Sequence, residues 1–160
     1  MPKSILIIGL VYLLSGQEGT KFYNLAIPKI IESSAYQCMN GSSKKYFVSP
    51  EVLNFDNRAI FFQKELLANG STVRFNYNLS NKEIVFLNSE MTKLGTRRRA
   101  ETKLYFSQIK DGFFFCELIL FEKSKSKYEQ KPAFGRSYVY LFRINDSDIN
   151  ILDVTEFLYN

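Results

Sequence analysis

One acid, Glu117, stands inside the apolar run Phe113–Phe121, between Phe115 and Ile119 on the same face of a strand drawn through it. A carboxylate in such surroundings must be paired, hydrogen-bonded or protonated, because an isolated buried charge is costly. Arg143 has similar surroundings, flanked along its own strand face by Val139 and Leu141. The two can pair across a sheet, or project together into a polar spot of an apolar cavity. An acid held there with a raised pKa can act as a general base. Glu117 is therefore the one catalytic candidate, against the plainer reading of a structural ion pair. No second acid is placed firmly enough beside it for a glycosidase pair.

Other chemistry is excluded by composition. The chain has no His, so it has no Ser-His-Asp triad, no Cys-His pair and no histidine base. Its 2 Cys are too few for a zinc ribbon or an iron–sulfur cluster. No P-loop or dinucleotide fingerprint occurs. Neither a metal nor a cofactor is expected. Cys38 and Cys116 are a candidate disulfide if the chain is exported.

Tyr138, Tyr140 and Phe142 alternate along one strand face beside Arg136. Such a ladder can stack sugar rings or bases, or simply pack in a core. Phe106, Phe115, Glu117, Tyr138, Tyr140 and Arg143 form the candidate ligand-binding set. Two basic clusters complete the inventory. Arg97, Arg98 and Arg99 are consecutive, while Lys123, Lys125 and Lys127 alternate with other residues. If their loops converge they make a patch for an acidic glycan, a phospholipid head group or nucleic acid. Apart, they read as solvated loop and a charged strand edge.

The net charge is +5 from 21 Lys and Arg against 16 Asp and Glu. That is mildly basic and below the density of a dedicated nucleic-acid binder, so nucleic acid is not expected as a partner. At the N-terminus Lys3 precedes the apolar run Ile5–Leu14, then the small residues Ser15 and Gly16. This is the layout of a secretory signal peptide, with a run too short to span a bilayer. The expected organisation is a signal peptide over 1–16 and a single domain over 17–160, secreted or periplasmic, with no membrane span in the mature chain. A buried strand is the competing reading of the Ile-Leu-Ile-Ile run.

The elements that must position these groups follow from periodicity. Residues 20–37 hold apolar side chains interrupted by Pro28, which places a helix start near that proline. Ser49-Pro50-Glu51 is a helix-start signal and Asn69-Gly70 a stop, giving a helix over about 56–68, continuous from 50 if the first signal is used. Val73, Phe75, Tyr77 and Leu79 alternate with polar residues as a half-buried strand, and Ser80-Asn81-Lys82 turns it into Glu83–Asn88. Leu104–Ile109, Asp111-Gly112 and Phe113–Phe121 read as a hairpin with a type I′ turn. Counting outward from Lys110 opposite Phe113 sets Phe106 opposite Glu117 and Ser107 opposite Cys116. A second hairpin joins Ser137–Ile144 to Ile149–Phe157.

One or two N-terminal helices packed on a curved antiparallel sheet of about six strands make an α+β fold. In element order alone it is similar to the cystatin-like and nuclear-transport-factor-2-like cones. A lipocalin-like β-barrel is the alternative. The 104–121 hairpin is apolar on both faces, so something must cover each. Helices can cover one; the other can meet a ligand cavity, a second sheet, a partner subunit or the rest of the chain. The leading expectation is a small exported non-enzymatic binding module. It would use an apolar sheet face for a small apolar ligand or a protein partner, a homodimer included. The alternatives are an interaction or inhibitor protein acting through basic loops 89–102 and 122–136, and a carboxylate-dependent enzyme centred on Glu117.

Overall fold

The computed structural model describes residues 19–75, 77–78, 82–122, 126–132 and 135–159. Residues 1–16, expected as a signal peptide, and Lys123 and Lys125 lie outside them.

Helix α1 (19–31) and helix α2 (Ser34–Asn40) come first. Tyr23, Ala26, Ile27 and Ile30 are buried, a stripe at i, i+3, i+4 and i+7 that defines an amphipathic helix. The helix therefore does not begin at Pro28 but runs through it, with the proline on the exposed side. An interior proline costs about 3 kcal/mol. Each large side chain in the stripe contributes about 1.5–3 kcal/mol by burial, so packing wins over local preference.

Strand β1 (Phe47–Val48) is followed by β2 (Glu51–Leu53). Ser49-Pro50-Glu51 starts a strand rather than a helix. Ser49 Oγ does accept from the Glu51 N–H at 3.2 Å, but Val52 and Leu53 are buried and pair with β3 (Ile84–Leu87). The helical stretch begins at Asp56, whose N–H is accepted by Asn54 Oδ1 at 3.0 Å. It runs as α3 (Asp56–Ala59), a 3-10 turn and α4 (Gln63–Ala68), and ends at Gly70 with φ +79°. Residues 71–75 show the expected burial alternation, yet they are not in a ladder. β3 pairs instead with β2, in a small two-stranded sheet.

The main sheet adds β4 (Thr102–Phe106), β5 (Phe113–Leu120), β6 (Gly135–Asn145) and β7 (Asp148–Tyr159), in the order β1-β4-β5-β6-β7. All its pairings are antiparallel except β1 with β4. The sheet is open, with β1 and β7 at its edges, which rules out the barrel. The fold is α+β.

The first hairpin departs from its expected register by one residue. Lys110 does face Phe113, but Phe106 faces Cys116 and Tyr105 faces Glu117. The slip arises at Ser107 and Gln108. Ser107 Oγ accepts from the Phe115 N–H at 2.8 Å, and the Gln108 N–H leaves the hairpin for the Leu53 carbonyl at 3.0 Å. Because strand side chains alternate, one extra residue moves all of β4 to the opposite face. Leu104 and Phe106 thus join Phe114, Cys116 and Leu118 under α1 and α2. Phe113 and Phe115 pack beneath Phe55, Ala59, Phe62 and Leu66 on the other side. Tyr105, Ile119 and Phe121 meet Leu53 and Tyr128. Both faces of the hairpin are therefore covered by the chain itself.

Candidate functional site

Glu117 lies on the second face, between those last two clusters, and is 4% exposed. Its expected partner is wrong. Arg143 faces Phe113 in the ladder and rests its guanidinium 5.8 Å from that ring. Arg58 reaches Glu117 instead, with Nη2 donating to Oε2 at 3.0 Å. The Tyr128 hydroxyl also donates to Oε2 at 2.7 Å. Ser137 Oγ donates to Oε1 at 2.8 Å and the Tyr159 hydroxyl at 2.5 Å. Burial alone would raise this carboxyl. Arg58, Lys131 and the two tyrosine hydroxyls more than offset it and hold Glu117 down to about 2. Arg58 also binds Glu83 and the Tyr128 hydroxyl. A carboxylate that accepts from four donors and is ionised at neutral pH has the character of a structural anchor. The anchor ties α3, β5, β6, the 128–130 turn and the C-terminal end of β7 together.

The sequence held a signal for Arg58 that periodicity would have found. Phe55, Ala59, Phe62 and Leu66 mark the buried stripe at i, i+4, i+7 and i+11, and Arg58 at i+3 falls inside it. Tyr128 carried no such signal, since it sits in the 122–136 loop, which the sequence marks only by its cations.

Phe106, Phe115 and Tyr140 are wholly packed in core clusters, and Tyr138 packs at the margin of the first. Tyr138 and Tyr140 share the α1/α2 face with Phe106, whereas Phe115, Glu117 and Arg143 belong to the opposite side. The six candidates therefore do not line a common space. Cys38 is exposed and Cys116 buried, and both are free thiols. The buried face of α2 is Ala35, Tyr36 and Met39, which leaves Cys38 turned outward and the expected disulfide unformed.

Of the second basic cluster, Lys127 alone is among the described residues, and it lines the same cleft as Arg98 and Arg99. The N–H groups of Thr96 and Arg97 donate to the Tyr46 carbonyl at 3.1 and 3.2 Å, and the Tyr46 N–H donates to Thr96 Oγ1 at 3.0 Å. Gly95 lies against the β1 backbone, where a Cβ would come within 3.0 Å of the Val48 nitrogen. These contacts fasten Arg97–Arg99 beside the sheet edge. From the opposite side, the Glu117 anchor holds Tyr128, whose N–H donates to Glu51 Oε2 at 3.3 Å.

Between the two loops lies a cleft of about 410 Å³, lined by Arg98, Arg99, Lys103 and Lys127, with Phe47, Pro50 and Leu87 as an apolar wall. Lys103 was not among the sequence candidates. It is 4% exposed and its ammonium donates to the Ser126 carbonyl. It sits 4.8 Å from the Phe121 ring and 5.8 Å from that of Phe47. Burial pushes its pKa below the usual lysine range, and Glu51 pulls it part of the way back. Glu51 is the one carboxylate lining the cleft. Among the described residues, none of the four cations is in an ion pair.

Among the described residues no cluster of three or more His, Cys, Asp or Glu is placed to hold a metal ion. No described helix is long and apolar enough to cross a membrane. No family model, curated protein or solved structure matches the chain.

Proposed function

We propose that the protein is a non-enzymatic binding module that holds an anionic group of its partner in the cleft between the 97–99 loop and the 126–131 segment. One observation carries this reading: Lys103, a nearly buried residue whose ammonium has one carbonyl and two aromatic faces as partners, shares the cleft with three further cations that are in no ion pair among the described residues. Burying a charge without an ion-pair partner is unfavourable; Glu51 offsets this only in part, and an incoming anion supplies the rest. Charge-assisted hydrogen bonds to such an anion are the strong class. The apolar wall suits an anionic group carried on a less polar body.

We place binding at these loops because both faces of the central hairpin are already filled. Glu117 is better suited to holding the 128–130 turn in place than to moving protons. Export to a secreted or periplasmic site, and a cone-like curvature of the sheet, remain parts of this proposal, motivated by the N-terminal layout and the element order.

The test is titration of a sulfated disaccharide into the protein and into the Lys103→Met variant at low and high salt. Loss of one charge-assisted contact worth about 1.5–3 kcal/mol weakens binding by about ten- to a hundredfold. Equal affinity for the two proteins, or affinity indifferent to salt, would overturn the reading.

A further inference from the structure

The cleft does not end at Arg99. A second cleft of about 320 Å³ lies on the other side of the arginine loop and includes Arg99, Arg97, Lys45 and Thr102. Strand alternation explains how one loop serves two clefts. Lys103 and Thr102 are successive residues of β4 and point to opposite faces, and the chain that leads into β4 carries Arg97–Arg99 around the strand end. A third cleft of about 390 Å³ shares Ser43 with the second and includes Lys44. Lys44, Lys45, Arg97, Arg98, Arg99 and Lys127 are all exposed. The cations thus line a path of two clefts joined at Arg99, with Lys127, Lys103 and Arg98 in the first and Arg97 and Lys45 in the second. Two carboxylates, Glu51 and Glu101, line it.

We infer that this path is a track for a linear polyanion, and that the polyanion is a sulfated or carboxylated polysaccharide. The inference rests on the anion-binding reading of the first cleft and extends it. Spaced cations on neighbouring clefts match charges repeated along a chain, and each added contact raises the effective concentration for the next. Single-stranded nucleic acid needs more than charge, because its bases stack on exposed aromatic faces. Of the exposed large apolar side chains among the described residues, Leu87 alone lines any of the three clefts. Tyr36 and Tyr105 are buried and Phe47 is half-buried. A glycan, whose anionic groups project along a polar backbone, needs no stacking platform.

The experiment compares a sulfated disaccharide, a long heparin-type oligosaccharide and single-stranded DNA of similar charge, on the full chain and on a Lys45→Ala/Arg97→Ala double variant. The long glycan is expected to bind at least about tenfold more tightly than the disaccharide. The double variant is expected to lose most of that gain while binding the disaccharide normally, which also reports an intact fold. Its salt dependence for the long glycan should fall by roughly one logarithmic slope per cation removed. Equal affinity for long and short glycans, with no effect of the double variant, overturns the track and leaves the single cleft standing. DNA bound as tightly as the long glycan overturns the polysaccharide assignment. Failure of every probe removes the cleft reading along with the track.

Discussion

Replacing Glu117 by Gln removes the negative charge on which four donors converge, and the cost can be worked in two ways. A carboxyl held at about 2 instead of the ordinary 4.5 stabilises the folded state by about 3 kcal/mol at neutral pH. Removing one partner from a buried ion pair costs about 3–5 kcal/mol. Gln retains an acceptor for Arg58 and Tyr128, and its amide can donate to the hydroxyls of Ser137 or Tyr159 after they rotate. The loss should therefore fall at the low end, about 2–3 kcal/mol. Arg58→Met leaves the charge buried without its guanidinium, and should cost more, about 3–5 kcal/mol.

The pH dependence carries an independent sign. The folded-state pKa of Glu117 is depressed, so its contribution is fully present above about 4.5 and is lost as pH falls toward about 2. Urea denaturation at neutral pH and at about pH 3 reads both effects in one series. The wild type should lose more stability on acidification than Glu117→Gln does, so the two curves converge. Coupling in the Arg58/Glu117 double variant should make the combined loss smaller than the sum of the single losses. A Glu117→Gln protein with wild-type stability and the wild-type acid slope would refute the anchor.

Further expectations follow from single contacts. With a thiol reagent, Cys38 should react in the native protein and Cys116 only after unfolding; two unreactive sulfurs would point to a disulfide after all. Gly95→Ala drives a methyl group against the backbone of Phe47 and Val48, so it should cost about 1–3 kcal/mol and weaken anion binding by loosening the arginine loop, both measurable on one preparation. Asp111 Oδ2 accepts from the Thr72 N–H at 2.5 Å and from the Thr72 hydroxyl at 3.1 Å, so Asp111→Ala should release residues 71–75. Limited proteolysis should then cut there first, and an unchanged cleavage pattern would show that Val73 and Phe75 hold the segment alone.

What the sequence made legible depended on whether the signal was local. The Asp111-Gly112 turn was readable because two successive residues with positive φ, 52° and 76°, need these residue types. The second hairpin and the helical stretch over 56–68 were readable for similar reasons. The register of β4 was not, because its bulge is made by a bond from Gln108 to Leu53, more than fifty residues away. The alternation of 71–75 gave the burial correctly but not the pairing, since an extended segment can bury one side on a core without joining a ladder. Glu117 was recognisable as a buried acid from its neighbours, whereas Arg58 required the helical stripe to be drawn through it. Lys103 was hidden in an apolar strand, where a lysine gives no sign that its ammonium will meet the Ser126 carbonyl and the rings of Phe47 and Phe121.

The most direct measurement of the central claim is calorimetric titration of the sulfated disaccharide into wild type and Lys103→Met at low salt. Methionine fits between Phe47 and Phe121 without a buried charge, so folding stability should be kept or raised while binding falls by about ten- to a hundredfold. Unchanged binding by a well-folded Lys103→Met protein would contradict the assignment of the cleft as the anion site.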